Sequence, residues 1–65
     1  MATQDQLRKA LTQLNHSQRD VLYYRYVADL SSKQTASVMK KTESAIKALQ
    51  HRALESLRRA LDSED

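Results

Sequence analysis

The 65-residue sequence contains no cysteine, glycine, proline, phenylalanine or tryptophan. The lack of cysteine excludes disulfides, zinc–thiolate sites and thiol catalysis, and it fits a reducing compartment. The lack of glycine excludes the glycine-rich loops that cradle phosphates, and the lack of proline excludes a proline-rich linker. Only three valines, one isoleucine and three tyrosines favour strands. Together these absences predict an all-α fold.

Long apolar runs are absent as well. No segment approaches the roughly 18 apolar residues that a membrane span needs, and no export signal pattern is present. A chain of 65 residues has room for one small core. We therefore interpret residues 1–65 as a single domain, and we expect a cytoplasmic location and no membrane partner.

The basic residues concentrate in one part of the chain. Residues 31–59 hold seven Lys or Arg against two Glu, a net charge of +5, whereas the whole chain carries +3. A polyanion-binding face would produce this excess, and so would the solvated surface of a helix. The charge distribution alone leaves both interpretations open.

Apolar spacing and helix start signals predict four helices, at about 4–14, 16–28, 32–39 and 43–61. Three of the starts carry a Thr/Asn/Ser-x-x-Gln capping box, and Thr42 is placed to cap the fourth helix. The acidic tail, residues 62–65, is expected to fray because acidic groups oppose the dipole at a helix C-terminus. The short connection between the third and fourth helices predicts a helix-turn-helix.

The same spacing predicts the core. The apolar set of the second helix is Val21, Leu22, Tyr24 and Ala28, and Arg25 falls near the same face as a structural hydrogen-bonding residue. From the third helix we expect Thr35, Ala36, Val38 and Met39 to be buried. From the fourth we expect Ala45, Ile46, Leu49, Ala53, Leu57 and Leu61. Ala36 is small where two helices must cross closely, and Ile46 closes the packing from the other side.

Two stretches resemble region 4 of bacterial sigma factors, most closely the extracytoplasmic-function group of the sigma-70 family. They run from Leu14 to Ser31 and from Thr42 to Arg58. The specific parts are Gln-Arg-x-Val-Leu in the first stretch and Ile-Lys-Ala-Leu-Gln-His-Arg-Ala in the second. The resemblance covers about residues 7–60. It implies a four-helix domain that recognises the promoter −35 element and contacts the flap of the RNA polymerase β subunit.

Two residues depart from the family pattern, which usually has glycine at the positions of Asp29 and Lys40. Aspartate tolerates a left-handed conformation better than most residues. Lysine at positive φ costs roughly 1 kcal/mol relative to glycine. Either the turn at Lys40 is built differently, or the charge that it brings near DNA offsets this cost. No region 2 is present, so the chain is interpreted as an isolated C-terminal domain of a longer protein.

In a major groove the fourth helix would present its N-terminal outer face. Lys47 would donate to guanine, Glu43 would accept from cytosine N4, and Ala48 would meet a thymine methyl group. Basic and hydroxyl side chains on either side would hold phosphates. The residues expected to contact DNA are Ser32, Lys33, Lys40, Lys41, Thr42, Glu43, Ser44, Lys47, Ala48, His51 and Arg52.

Structural roles account for several of these residues equally well. Thr42 is a helix cap, and Glu43 is favoured by the helix dipole in the first turn. His51 is spaced to pair with Glu55, and the stem of Arg52 is placed to cover the apolar stripe.

Other functions fit the sequence less well than DNA binding. The pairs His16–Asp20 and His51–Glu55 lack a nucleophile or a third ligand, so neither an enzyme, a metal site, a cofactor nor a small-molecule substrate is expected. A LuxR-type response-regulator domain shares the four-helix plan, but the strings Arg-Tyr-Val at 25–27 and His-Arg-Ala at 51–53 favour the sigma interpretation.

The alternative to a DNA-binding function is a protein-interaction function, in which the domain binds another protein. The resemblance implies that an anti-sigma factor or the polymerase flap would bind the domain. Such a partner would use apolar residues expected to be exposed on the helices, namely Leu22, Tyr26, Leu54 and Leu61. Tyr23 is a further candidate for this groove.

Overall fold

The computed structural model describes residues 3–62, which form four helices and no strand. Helix α1 spans Gln4–Thr12, α2 spans His16–Leu22, α3 spans Ser32–Met39 and α4 spans Glu43–Asp62. Helix α2 continues without a break into a wider π-helical turn, Tyr23–Val27, which we call the π segment. The all-α prediction is therefore confirmed. The predicted acidic tail lies outside the described residues, except for Asp62, which ends α4.

All three predicted capping boxes are formed. At Ser31, for example, the side-chain oxygen accepts from Gln34 N at 3.0 Å, while Ser31 N donates to Gln34 Oε1 at 2.9 Å. Thr3 and Asn15 form the same reciprocal pairs with the glutamine three residues later. These local bonds set the helix starts in a chain that has neither glycine nor proline to mark them.

Two helix ends differ from prediction. Helix α1 ends at Thr12 rather than at residue 14, because Asn15 must adopt an extended conformation (ψ 170°) to cap α2. The second helix was predicted to be regular through residue 28, but it widens at Tyr23. The extra residue in the π turn rotates Ala28 outward, so Ala28 is exposed rather than buried as predicted.

The core lies where α4 crosses the other three helices, all of which pack against it. Its buried residues are Leu14, Val21, Leu22, Ala36, Ile46 and Ala53, and half-buried Leu11, Met39, Leu49 and Leu57 pack against them. The roles predicted for Ala36 and Ile46 are consistent with this, since Ala36 is 7% exposed and Ile46 is fully buried.

Two further predicted core residues face solvent instead. Val38 is 51% exposed, because α3 turns Thr35, Ala36 and Met39 inward and leaves Val38 at the edge of that face. Ala45 is exposed beside the start of α4, while Ala60 near its end is buried. The predicted helical period agrees with the structure, whereas the predicted width of the buried apolar stripe does not.

Candidate DNA-binding face

The first three turns of α4 present a continuous exposed face. The i, i+3, i+4 spacing that turns Ile46 and Ala53 into the core turns the intervening polar residues outward. All six residues predicted to read bases or flank them on α4 are exposed, namely Glu43, Ser44, Lys47, Ala48, His51 and Arg52. We call this surface the α4 face.

Thr42 sets the start of the α4 face. Its hydroxyl oxygen accepts a hydrogen bond from Ala45 N at 3.0 Å, and its carbonyl accepts from Ile46 N at 3.0 Å. This geometry is that of a helix N-cap. Thr42 therefore has the structural role of a helix cap, and it directly precedes the positions that are predicted to contact DNA.

The turn between α3 and α4 keeps the left-handed geometry that usually takes glycine. Lys40 has φ 57° and ψ 46°, and Asp29 before α3 has φ 58°. Lys40 N donates to Ser37 O at 3.3 Å, and Lys41 N donates to Ala36 O at 2.9 Å. These two bonds form a Schellman motif, so the turn is built in the usual way with a lysine in the strained position. Lys40 and Lys41 are both exposed next to the α4 face.

Side-chain contacts along α4 join polar residues one turn apart. Lys47 Nζ lies 3.9 Å from Glu43 Oε1, and His51 Nε2 lies 3.7 Å from Glu55 Oε2. Glu55 also meets Arg59 at 3.8 Å. All of these side chains are well exposed, and such pairs contribute little to stability. A polyanion can therefore draw Lys47 and His51 out of these pairs at small cost.

Four other basic residues of the helix-turn-helix form no ion pair with another described residue. Within residues 3–62, Lys33, Lys40, Lys41 and Arg52 form no ion pair, and all four are exposed. Free cations on an exposed surface keep their full charge for an external anion.

A polar cleft separates the start of α3 from α4. It encloses about 270 Å³ and brings half-buried Ser32 to the same place as Lys47 and His51. Its full lining is Arg25, Ser32, Lys47, Gln50, His51 and Leu54. The cleft therefore unites predicted DNA contacts from both helices of the helix-turn-helix. Arg25 and Gln50 were not predicted for this site, because no local pattern relates residues 25 positions apart.

Arg25 and Gln50 form a hydrogen-bonded chain beside the cleft. Arg25 Nε donates to Gln50 Oε1 at 3.0 Å, and Arg25 Nη1 donates to the carbonyl oxygen of Leu30. Gln50 Nε2 donates in turn to the Tyr26 hydroxyl at 2.8 Å. The prediction of a structural hydrogen-bonding role for Arg25 fits these contacts.

An apolar groove lies between α1, the π segment and the second half of α4, and it shares Leu54 with the polar cleft. It encloses about 570 Å³. Its lining is Leu7, Leu11, Arg19, Leu22, Tyr23, Tyr26, Val27, Leu54 and Leu57. We call this surface the apolar groove.

Three of the four residues predicted to bind a partner line the apolar groove. Tyr26 and Leu54 are exposed as expected, at 57% and 40%. The expectation that Leu22 is exposed was wrong: it is 6% exposed and forms part of the core at the floor of the groove. Leu61 is half-buried and is not part of the groove lining.

The π segment supplies a groove residue that the sequence pattern did not predict. Val27 is 71% exposed, the most exposed large apolar side chain among the described residues. A regular helical period does not predict that Val27 lines the groove, because the wider π turn shifts the residues after Tyr23 by one position around the helix. Single π turns are frequent at functional sites.

The histidine–carboxylate pairs are surface contacts. His16 Nε2 lies 3.0 Å from Asp20 Oδ2, with the histidine side chain 83% exposed. Within residues 3–62, no three His, Cys, Asp or Glu side chains converge as metal ligands would. Among the same residues, no helix is long and apolar enough to cross a membrane.

Comparison with known proteins identifies a related family. Residues 10–59 match the family described as Sigma-70, region 4, and this range contains the whole α4 face and the turn before it. The chain is also 44% identical over 52 residues to the ECF RNA polymerase sigma factor BldN of Streptomyces coelicolor. The alignment covers 80% of this chain and 20% of BldN, so the chain spans about a fifth of that relative's length. The match favours the sigma interpretation over the LuxR-type one.

Proposed function

The chain belongs to the sigma-70 region 4 family, and from this premise we propose that it recognises the −35 element of double-stranded promoter DNA as part of a sigma factor. The α4 face is the observation that carries the proposal. Six exposed residues lie side by side over its first three turns, and the free cations flank them. This is the arrangement in which a recognition helix reads base edges while its surroundings hold phosphates.

The side chains nearest the start of α4 contact the base edges. Lys47 donates to guanine O6 or N7, Glu43 accepts from cytosine N4, and the Ala48 methyl packs on a thymine methyl group. The exposed pair of Lys47 and Glu43, 3.9 Å apart, holds both side chains along the same face before DNA arrives. Since that pair is weak, exchanging it for base contacts costs little.

The basic residues of α3, of the turn after it and of α4 contact the phosphates. Lys33, Lys40, Lys41 and Arg52 lie free on the surface, and the Ser32 hydroxyl faces the polar cleft. The four cationic contacts would make the logarithm of the binding constant fall with the logarithm of salt concentration with a slope of about −3.6, since the uncharged Ser32 hydroxyl releases no counterion.

Selection from a random duplex pool, followed by titration of single variants, tests the proposal. Lys47→Ala should weaken binding to the selected duplex by about 5- to 150-fold and relax the preference at one base pair. Arg58→Ala is the matched control, because it removes one exposed cation from the far end of the same helix. Selection that yields no preferred sequence, or equal effects of the two variants, would refute the proposal.

We infer a second activity for the apolar groove, which is docking of the flap of the RNA polymerase β subunit. The groove takes Leu54 and Leu57 from the second half of α4, whereas the α4 face occupies the first half. The α4 face and the groove share no residue, although the polar cleft and the groove share Leu54, so simultaneous binding of DNA and a partner is part of this proposal. Arg19 at the rim is exposed and forms no ion pair with another described residue, so it offers a contact to an acidic group beside the partner's apolar residues.

Titration with a flap fragment tests the groove. Val27→Asp places a charge on the most exposed apolar residue of the lining and should abolish flap binding, while leaving DNA affinity unchanged. Val38→Asp is the control, since Val38 is also an exposed valine and is not part of the groove lining. If the flap fragment fails to bind while an anti-sigma factor binds and depends on Val27, the groove serves an inhibitor instead.

A further inference from the structure

Arg25 connects two parts of the domain that are distant in sequence. Its Nε atom reaches Gln50 on α4 at 3.0 Å, and its Nη1 atom reaches the Leu30 carbonyl in the turn before α3. The side chain is half-buried, so both bonds are partly shielded from water. A planar guanidinium can hold two acceptors in fixed relative positions, which a flexible ammonium group cannot.

The Leu30 carbonyl belongs to the turn that orients α3. Asp29 adopts the left-handed conformation at φ 58°, and Leu30 N closes the turn by donating to Tyr24 O at 2.8 Å. The next residue, Ser31, caps α3. The closing bond spans one residue more than in an ordinary Schellman motif because the π segment adds a residue. The side chain of Arg25, which belongs to the π segment, therefore hydrogen-bonds to the turn before α3.

Gln50 lies at the other end of the link, between two predicted DNA contacts. Lys47 precedes it by almost one turn of α4 and His51 follows it directly, and all three line the polar cleft with Ser32. Both ends of the Gln50 amide are engaged, by Arg25 and by the Tyr26 hydroxyl. One side chain thus links the turn before α3 to α4 beside the α4 face, in addition to the core contacts between the two helices.

We propose that Arg25 is a positioning residue for DNA recognition: through Leu30 and Gln50 it fixes the start of α3 against the base-reading part of α4. The proposal rests on the proposed DNA-binding function. Sequence-specific binding requires phosphate contacts from α3 and base contacts from α4 in one register, whereas nonspecific binding tolerates several registers. Loss of the link should therefore lower specificity more than overall attraction to DNA.

Arg25→Lys separates positioning from charge, since lysine keeps the charge and loses the two-pronged geometry. The ratio of affinities for the selected duplex and an unrelated duplex should fall about tenfold, the effect of losing one charged hydrogen bond. Nonspecific affinity and the salt slope should stay unchanged. Arg8→Lys is the matched control, because Arg8 is an exposed arginine of α1 that is not part of the α4 face, the cleft or the groove.

A second variant, Gln50→Leu, removes the acceptor at the other end of the link. The double variant with Arg25→Lys should lower the ratio no further than either change alone, because both break the same connection. An unchanged ratio in Arg25→Lys, or additive losses in the double variant, would overturn the proposal.

Amide chemical shifts of the free domain provide a test that requires no DNA. Arg25→Lys should move the resonances of residues 30–33 and 47–51 together, whereas Arg8→Lys should not. If wild-type protein prefers no duplex but these shifts move, the proposed function fails while the structural link stands. If the shifts stay in place, the positioning role is refuted whatever the DNA data show.

Discussion

Thr35 provides the sharpest test of the packing described above. Its side chain is fully buried in α3, and its Oγ1 atom has no hydrogen-bond partner among the described residues. Its backbone N donates normally to Ser31 O at 2.9 Å, so only the hydroxyl is left unsatisfied. A buried hydroxyl without a partner costs about 1–3 kcal/mol. Thr35→Val replaces it with a methyl group of similar size.

The expected gain in the free energy of unfolding is about 2–4 kcal/mol. The desolvation cost of the hydroxyl disappears, and burial of the added methyl group contributes about 0.8 kcal/mol more. Valine and threonine have similar helix propensities, so the backbone term nearly cancels. Since a domain of this size is stable by only about 3–5 kcal/mol, the change should be plain in a urea titration followed by far-UV circular dichroism.

Thr42→Val is the matched control, the same substitution with the opposite expected sign. The Thr42 hydroxyl accepts from Ala45 N at 3.0 Å, so its loss should cost about 1 kcal/mol. The slope of the free energy against urea should be the same for both variants and for wild type. A Thr35→Val variant that is no more stable than wild type would mean that the hydroxyl is satisfied in solution, and the reasoning from burial would fail.

Single changes at a turn, in the core and at a cap give three further outcomes. Lys40→Gly should raise the free energy of unfolding by about 1 kcal/mol and reduce the magnitude of the salt slope of DNA binding by about 0.9; unchanged stability in urea would contradict the left-handed geometry. Ile46→Ala should cost about 2–5 kcal/mol, a large part of the domain's stability, and an unchanged midpoint in a urea titration would argue against its central position. Asn15→Ala should lower Tm by about 4–8 °C, because α2 loses the 2.9 Å bond from Gln18 N; an unaltered melting curve would show that the cap is dispensable.

The helix starts were predictable because their causes are local. Each capping box joins residues three apart, so a four-residue window carries the whole signal, as at Ser31 and Gln34. The α4 face was predictable for the same reason, since helical period and charge lie in one segment. Its role in reading bases stays a prediction until the DNA measurements are made.

The helix ends were less predictable, because they depend on neighbouring elements. Helix α1 stops at Thr12 so that Asn15 can cap the next helix, and the second helix widens at Tyr23. The π turn then exposes Val27 and Ala28, one of which was expected in the core. A periodicity argument assumes a constant number of residues per turn, and it fails where that number changes.

The order of residues along the chain was enough to predict the all-α class, the four helix starts, the family resemblance and the exposed basic face of α4. The apolar groove and the link from Arg25 to Gln50 and Leu30 emerged from the packed helices alone. These two groups of features differ in how far apart along the chain their residues lie. Caps and helical faces depend on residues within a turn or two of one another, whereas the groove and the link join side chains of different helices that meet because the core brings them together.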